Sequence, residues 1–293
     1  MDRLSGMIDL HMHSTVSDGT DPPEALPSIA KGAGIGLFAL TDHDAFKGCG
    51  IIRAHLTPED PAFVTGVEFS CRDGEGKYHI LGYGFDPEAD SIRRVVETGH
   101  GYRMDKVKAR LDFLKTKFGF HFAEEDVRAL LALDNPGKPH IGKLMIRYGY
   151  ARSIQDAIRN YIDQLPFRDA YVRPEEAVEG ILGAGGIPVL AHPCYGSGDE
   201  LILGEEMDER IRHLADLGLR GLEAFYSGFT AKISRELLSL AERYGLYVTA
   251  GSDYHGKNKL VVLGDTGLYD AAEAPDGLKR FLKDAVKNSY DQI

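Results

Sequence analysis

Short apolar runs recur along the chain, each followed by a stretch of helical or loop-like pattern. MIDLHMH, GLFALTDHD, FVTGVEFS, KYHILGYGF, IPVLAHP, GLEAFY and LYVTAGSDYH all read as buried strands. Between them the apolar positions fall at helical spacing. Pro22 to Gly32 carries Ala25, Leu26, Ile29 and Ala30. Pro174 to Gly183 opens on a proline suited to a first helical turn and closes on a glycine suited to a cap. Ile211 to Leu217 and Ile233 to Tyr244 are amphipathic. Strand–helix alternation of this kind predicts an α/β fold with a parallel sheet, open or closed.

The rhythm breaks between about residues 91 and 170, where no strong strand is found. Met104, Val107, Leu111, Leu114 and Phe118 step by three and four, which predicts an amphipathic helix. Ser153 with Asp156 has the spacing of a capping box before Ala157 and Ile158. The segment reads as a small helical insertion.

Charge sets this segment apart. Residues 98–172 carry a net +4 against −15 for the remainder of a chain whose formal net charge is −11. An acidic chain excludes loose binding to nucleic acid through bulk positive charge, and no stable nucleic-acid complex is expected. Arg103, Lys106 and Arg110 recur at helical spacing, the pattern of a solvated face. No apolar run approaches the ~20 residues that a membrane helix needs, and the N-terminus lacks a signal-peptide pattern. Cys49, Cys71 and Cys194 are scattered and odd in number, so the expected home is a reducing cytoplasm. A length of 293 residues suits one barrel with an insertion as well as two ordinary domains.

The chemistry lies at the strand ends. MIDLHMH ends in His11 and His13, and i, i+2 residues of a strand face the same way. Asp18 follows in a turn. GLFALTDHD ends in Asp42, His43 and Asp44; FVTGVEFS carries Glu68; KYHILGYGF carries His79; IPVLAHP ends in His192; LYVTAGSDYH ends in Asp253 and His255. In parallel α/β folds the catalytic groups gather at the carboxyl ends of the strands. A lone histidine there is more often a hydrogen-bonded structural residue. Six histidines with carboxylates in one domain form a costly cluster unless they hold metal, and such donors suit Zn, Mn or Fe. Asp42 and Asp44 are candidate hydrogen-bond acceptors for the His43 ring.

HMH, SDG, TDHD, GVEFS, His79, AHP and GSDYH, in this order, resemble the PHP family, the polymerase and histidinol phosphatase superfamily of metal-dependent phosphoesterases. The resemblance covers residues 7–97 and 171–293. It implies a distorted (β/α)7 barrel built from residues 1–97 and 171–293, with residues 98–170 inserted as a helical cap. It further implies that His11, His13 and Asp253 hold one metal and that Glu68 bridges it to a second. His79 and His192 would complete the second, and Asp18, His43 and His255 a third. Two or three divalent ions suit phosphate-ester hydrolysis by a metal-activated hydroxide. Glu68, Asp253, His192 and His255 are the residues expected to carry catalysis.

The basic insertion with NPGKPHIGKLM resembles the branch containing nucleotide 3′,5′-bisphosphate phosphatases. Lys138 and His140 follow a Pro-Gly turn where a helix can begin, and helix starts and cations both favour phosphate. With Arg168 they are the candidate substrate-binding residues. The expected substrate is a small phosphomonoester such as a nucleotide or sugar phosphate. A phosphodiesterase acting on cyclic phosphates or short oligonucleotides is the nearest alternative. A non-catalytic, metal-stabilised binding module is the alternative of another class.

Overall fold

Seven of the apolar runs form seven strands: β1 (Met7–Asp9), β2 (Ile35–Leu40), β3 (Ala62–Arg72), β4 (Lys77–Tyr83), β5 (Ile187–Leu190), β6 (Gly221–Tyr226) and β7 (Tyr247–Gly251). The computed structural model describes residues 6–167, 170–196 and 200–290. The strands pair in chain order within one sheet. Beyond the ends of β1 and β7, Leu10 N donates to Ala250 O, Asp253 N to His11 O and His13 N to Tyr254 O, each at 2.8 Å. These bonds join the two edges, so the sheet curls into the expected barrel and its edges are satisfied.

The barrel departs from strict strand–helix alternation at one place. β3 turns directly into β4 through Asp73–Gly76, and β4 runs antiparallel to both β3 and β5, whereas every other pairing is parallel. The turn is built locally: Asp73 Oδ1 accepts from Glu75 N at 2.8 Å and Gly76 N at 2.9 Å, the side-chain mimicry of a turn that aspartate provides. The reversal places the start of β4 on the same side as the carboxyl ends of its neighbours.

Helices cover the outside: α1 (Leu26–Gly32), α2 (Lys47–His55), α7 (Pro174–Gly183), α8 (Glu205–Asp216), α9 (Ala231–Arg243) and α10 (Asp276–Tyr290). The core is continuous from Leu37, Val67, Phe69 and Leu190 out to Ile181, Leu214, Leu237 and Phe281. Several predicted strands are shorter than their apolar runs. His11, His13, His43, His192, Asp253 and His255 all lie past the ends of their strands, where at most single bridges such as His43–Glu68 and Met12–Tyr254 continue the pairing.

The insertion comprises α3 (Asp90–Phe118), α4 (Glu124–Leu131), α5 (Lys138–Arg147) and α6 (Ile154–Asn160). It has its own apolar centre of Val107, Leu114, Leu130, Ile141, Leu144, Met145, Ala157 and Ile162. α3 is one helix of 29 residues. Its first half buries Ile92 and Val95 in the barrel core, and its second half buries Val107 and Leu114 in the insertion. At α6, Ser153 Oγ accepts from Asp156 N at 3.0 Å, but Asp156 returns its bond to Arg152 N at 2.8 Å rather than to the cap residue. Arg103, Lys106 and Arg110 do not form a solvated face: Lys106 and Arg110 are 8% and 7% exposed, because α3 turns this side onto the barrel. Among the described residues, no helix is long and apolar enough to cross a membrane.

Candidate metal centre

Glu68 projects from the middle of β3 and is buried. Around it the barrel gathers the histidines of five different segments. His13 Nε2 lies 3.2 Å and His11 Nε2 3.4 Å from Glu68 Oε2, and His43 Nδ1 lies 3.0 Å from the same oxygen. On the other oxygen, His79 Nδ1 is at 2.7 Å and His192 Nε2 at 3.4 Å. Asp253 Oδ1 lies 3.5 Å from His11, 3.3 Å from His13 and 3.3 Å from His255. Asp18 Oδ1 reaches His255 at 3.3 Å, His13 at 3.8 Å and His43 at 3.9 Å.

All nine residues singled out at the strand ends therefore converge. Ligand atoms of eight of them form three overlapping groups, each spanning no more than 4.8 Å: His11, His13 and Asp253; His43, Glu68 and His79; and His13, Asp18, His43 and His255. His192 belongs to none of the three and meets the cluster through Glu68. His79 reaches the cluster only because β4 is reversed, with Ser70 opposite it in the ladder.

The donor set fits divalent ions. His11 Nε2, His13 Nε2, His43 Nδ1 and Glu68 Oε2 are buried and have no hydrogen-bond partner, although the three ring nitrogens lie 3.0 to 3.4 Å from Glu68 Oε2. Buried polar atoms are almost always paired. Four that point at one place without bonding one another have the arrangement of ligands round a common cation.

Electrostatics prepares the carboxylates. Burial acts to raise Glu68, but His43, His79 and His11 hold it well below the usual carboxylate range. Burial likewise opposes Asp253, and Lys259, His11 and His255 outweigh it. Both stay anionic, the form a cation needs. Burial lowers His79 to about 3, leaving its ring neutral despite Glu68.

A PHP domain model matches residues 9–173, more than half of the chain. The chain belongs to the PHP family. It is 30% identical over 260 residues to a 3',5'-nucleoside bisphosphate phosphatase of Chromobacterium violaceum, covering 85% of this chain and 87% of that one. A phosphoribosyl 1,2-cyclic phosphate 1,2-diphosphodiesterase of Eggerthella lenta is 31% identical over 259 residues, covering 85% and 94%. The crystal structure of a candidate metal-dependent phosphoesterase from Bifidobacterium adolescentis superimposes with a TM-score of 0.80 at 26% identity, covering 95% and 96%. This PHP chain is an enzyme that hydrolyses phosphate esters with the help of metal.

Several residues of this PHP site escaped the sequence reading. Glu223, fully buried inside β6, accepts from His11 Nδ1 at 2.9 Å and from His192 N at 2.7 Å. With Nδ1 donating, the free lone pair of His11 is Nε2, the atom aimed at Glu68 and Asp253. The signal was a lone acidic residue in the apolar run GLEAFY. Lys259 and Tyr226 both contact Asp253 Oδ2, Tyr226 at 2.9 Å. Together with Tyr195, they line a cavity of about 190 Å³ over Glu68.

Asp42 and Asp44 do not serve the His43 ring. Asp42 accepts from Ser14 N, Ser14 Oγ and Ser17 Oγ at 2.6–2.8 Å, fixing the SDG turn. Asp44 pairs with Arg103 of α3 at 2.8 Å. Gly99 permits this approach, since a Cβ there would lie 2.8 Å from Asp44 Oδ1.

The insertion thus leans on the rim of the site, and Asn135 donates to His43 O. Lys138 is ion-paired with Asp163. His140 Nδ1 accepts from Gly137 N at 3.0 Å, and its ring is held low by burial against the pull of Asp18. Arg168 lies outside the described residues.

Proposed function

We propose that this enzyme hydrolyses a phosphomonoester on a small phosphorylated metabolite, a nucleotide or sugar phosphate, using two or three divalent ions drawn from Mn, Zn and Fe. The observation that carries the reading is the set of four unpartnered buried atoms meeting at Glu68 beneath an open cavity. His11, His13 and Asp253 would hold one ion, with Glu68 bridging to a second completed by His79 and His192. Asp18, His43 and His255 would hold a third. Bound ions of this type lower the pKa of water and stabilise charge on the phosphate and leaving oxygens.

The chain's own residues do the positioning. Glu223 fixes the His11 ring and the His192 backbone. Lys259 and Tyr226 orient Asp253 and stand at the cavity, where both can donate to a phosphate oxygen. Tyr226 keeps its proton, because burial and then Asp253 push it far above its ordinary value. Residues 98–170 form the cap through which the substrate is read, over the barrel of residues 1–97 and 171–293. We place the protein in the cytoplasm, supported by three free, buried thiols.

The test is turnover of a nucleoside bisphosphate, an aryl phosphate, a dinucleotide and a cyclic phosphate with added Mn, Zn or Fe. Release of inorganic phosphate from a monoester is expected. Metal uptake without turnover of any of the four would make the chain a binding module. The Eggerthella relative favours a second reading, in which a cyclic phosphate is opened first; product analysis on the cyclic ester separates the two.

A further inference from the structure

The candidate ligands divide by what holds them in place. Glu68 and His79 project from paired strand, and Glu223 of β6 fixes the His11 ring and the His192 backbone. These four are held by the barrel itself. Asp18, His43 and His255 sit on loops beyond the strands. Two asparagines reach these loops from other parts of the chain. Asn135, 1% exposed in the loop between α4 and α5 of the insertion, donates its side-chain amide to His43 O. Asn258, in the turn after β7, donates its amide to Asp18 O at 2.5 Å.

Each asparagine is one of several contacts across its seam. Beside His43, Arg103 of α3 pairs with Asp44 at 2.8 Å, and Lys47 at the start of α2 pairs with Asp134 at 2.9 Å. Asn135 Oδ1 lies 3.3 Å from His100 Nδ1 of α3, so both ends of the buried amide are engaged. The His43 carbonyl belongs to the peptide that enters Asp44, whose φ is 48°. A non-glycine residue turned in this way persists only where its surroundings impose it, and Arg103 and Asn135 both bear on this turn from the insertion. Beside Asp18, Lys257 N donates to Thr20 Oγ1 and Tyr254 Oη to Asp21 Oδ2, each at 2.9 Å. Gly256, at φ 62°, allows this approach, since a Cβ there would lie 2.0 Å from Thr20 Oγ1. His255 Nδ1 lies 2.8 Å from Asp253 O, which leaves Nε2 facing Asp18 at 3.3 Å.

The cavity over Glu68 is lined by other residues, so the asparagines act through the backbone of the loops they hold. A ligand on an unpinned loop must be ordered by the ion it binds, and that ordering is subtracted from affinity. We propose that Asn135 and Asn258 are positioning residues for the third ion, holding the loops of His43 and Asp18 at the spacing that ion needs. The insertion then completes the metal centre as well as covering it. The inference rests on the three-ion reading and deepens it: the barrel holds two ions by itself, and the third depends on contacts made by the insertion and by the turn after β7. His43 is shared between two of the ligand groups, whereas Asp18 belongs to one, so Asn258 bears on the third ion alone.

The test counts ions on the full-length protein, stripped of metal and dialysed against a series of free Mn concentrations, with elemental analysis of each sample. The parent should take up a third ion after two tighter ones. Asn135→Ala and Asn258→Ala should move that last step about tenfold to a hundredfold to higher Mn, the usual effect of removing a group that orients a metal ligand. The two tighter steps should stay within about twofold of the parent, since Glu68, His79 and Glu223 are untouched. Thermal unfolding of the metal-free proteins runs alongside. Asn135→Asp keeps the size of the side chain and the acceptor facing His100 but has no N–H to give; it should behave as Asn135→Ala and decides the matter where alanine unfolds the protein.

A last step that stays in place in both variants overturns the proposal. So does a variant that loses all its ions in step with a fall in Tm, which would make the asparagine a general support of the fold. A shift in only one variant keeps the role for that asparagine and overturns it for the other. A parent that saturates at two ions overturns the three-ion reading and the inference with it. The ion count does not depend on turnover: if the parent hydrolyses no phosphate ester, the phosphomonoesterase reading fails, while a selective loss of the third ion still upholds the inference.

Discussion

Glu223→Gln should weaken metal binding by about tenfold to a hundredfold while leaving the barrel folded. The carboxylate is fully buried, with one oxygen accepting from His11 Nδ1 at 2.9 Å and the other from His192 N at 2.7 Å. Glutamine keeps the shape but only one acceptor. Its amide group must face one of the two N–H donors, so one charge-assisted bond is lost and two donors oppose each other. A hydrogen bond to a charged group is worth ~1.5–3 kcal/mol, and a factor of ten corresponds to ~1.4 kcal/mol. The estimate agrees with the usual effect of removing a partner that orients a metal-bound histidine, ~10–100-fold. The assay is competition for Mn or Zn against a chromophoric chelator, with thermal unfolding of the metal-free protein alongside. Activity at saturating metal should return in Glu223→Gln, since no ligand has been removed. An affinity within about twofold of the parent would refute the view that Glu223 sets the His11 ring.

Glu68→Ala should abolish nearly all activity through kcat and lower the metal content per chain; a rate within about tenfold of the parent rules out the bridging role. Metal uptake should release protons. In the metal-free protein burial acts to lower His13, but the Asp253 and Glu68 carboxylates beside its ring outweigh this and raise it to about 9. At pH 7 the ring therefore holds a proton that a metal must displace, and apparent affinity rises up to about pH 9. The same group stabilises the metal-free fold fully below its unfolded pKa of ~6.5, an effect lost as pH climbs through about 9. Calorimetry in buffers of different ionisation enthalpy counts the protons, and no release at pH 7 contradicts the prediction. The thiols should be inert in the native protein: burial pushes Cys49 and Cys194 up to about 12 and raises Cys71. Alkylation at pH 8 should proceed only after unfolding, as mass spectrometry can show.

The strands were legible because parallel barrel strands are buried on both faces and so read as near-continuous apolar runs. The direction of β4 was not legible. Nothing in KYHILGYGF distinguishes a parallel from an antiparallel strand, and the short Asp73–Gly76 turn was the one clue that no crossover helix intervenes. The nine donors could be collected because histidine and carboxylate at the end of an apolar run stand out. Glu223 was passed over because it sits inside its run rather than at the end. Lys259 lies in an irregular loop without periodicity. The burial of Lys106 and Arg110 was hidden because their spacing on α3 is that of any charged helix face, and only the docking of α3 on the barrel decides which side meets solvent.

Three non-glycine residues of the described chain have positive φ, and all three lie at this centre: Asp44 at 48°, His192 at 30° and Asp253 at 59°. Such a conformation costs ~1–3 kcal/mol per residue and persists only where its surroundings impose it. Here the surroundings are the site itself. Asp44 N donates to Glu68 O at 2.8 Å, His192 N to Glu223 Oε2 at 2.7 Å, and Asp253 N to His11 O at 2.8 Å. Each turned residue is therefore pinned by a member of the cluster or by its orienting carboxylate. Glu68 and His79 need no such turn, because both project from paired strand, with Ser70 opposite His79. The rigid ladder fixes two of the donors, and the strained rim residues are tied back to it and to the neighbouring segments that carry the rest. A site held in this way presents its carboxylates and imidazoles at spacings set by the fold, so an incoming ion meets ligands already in place.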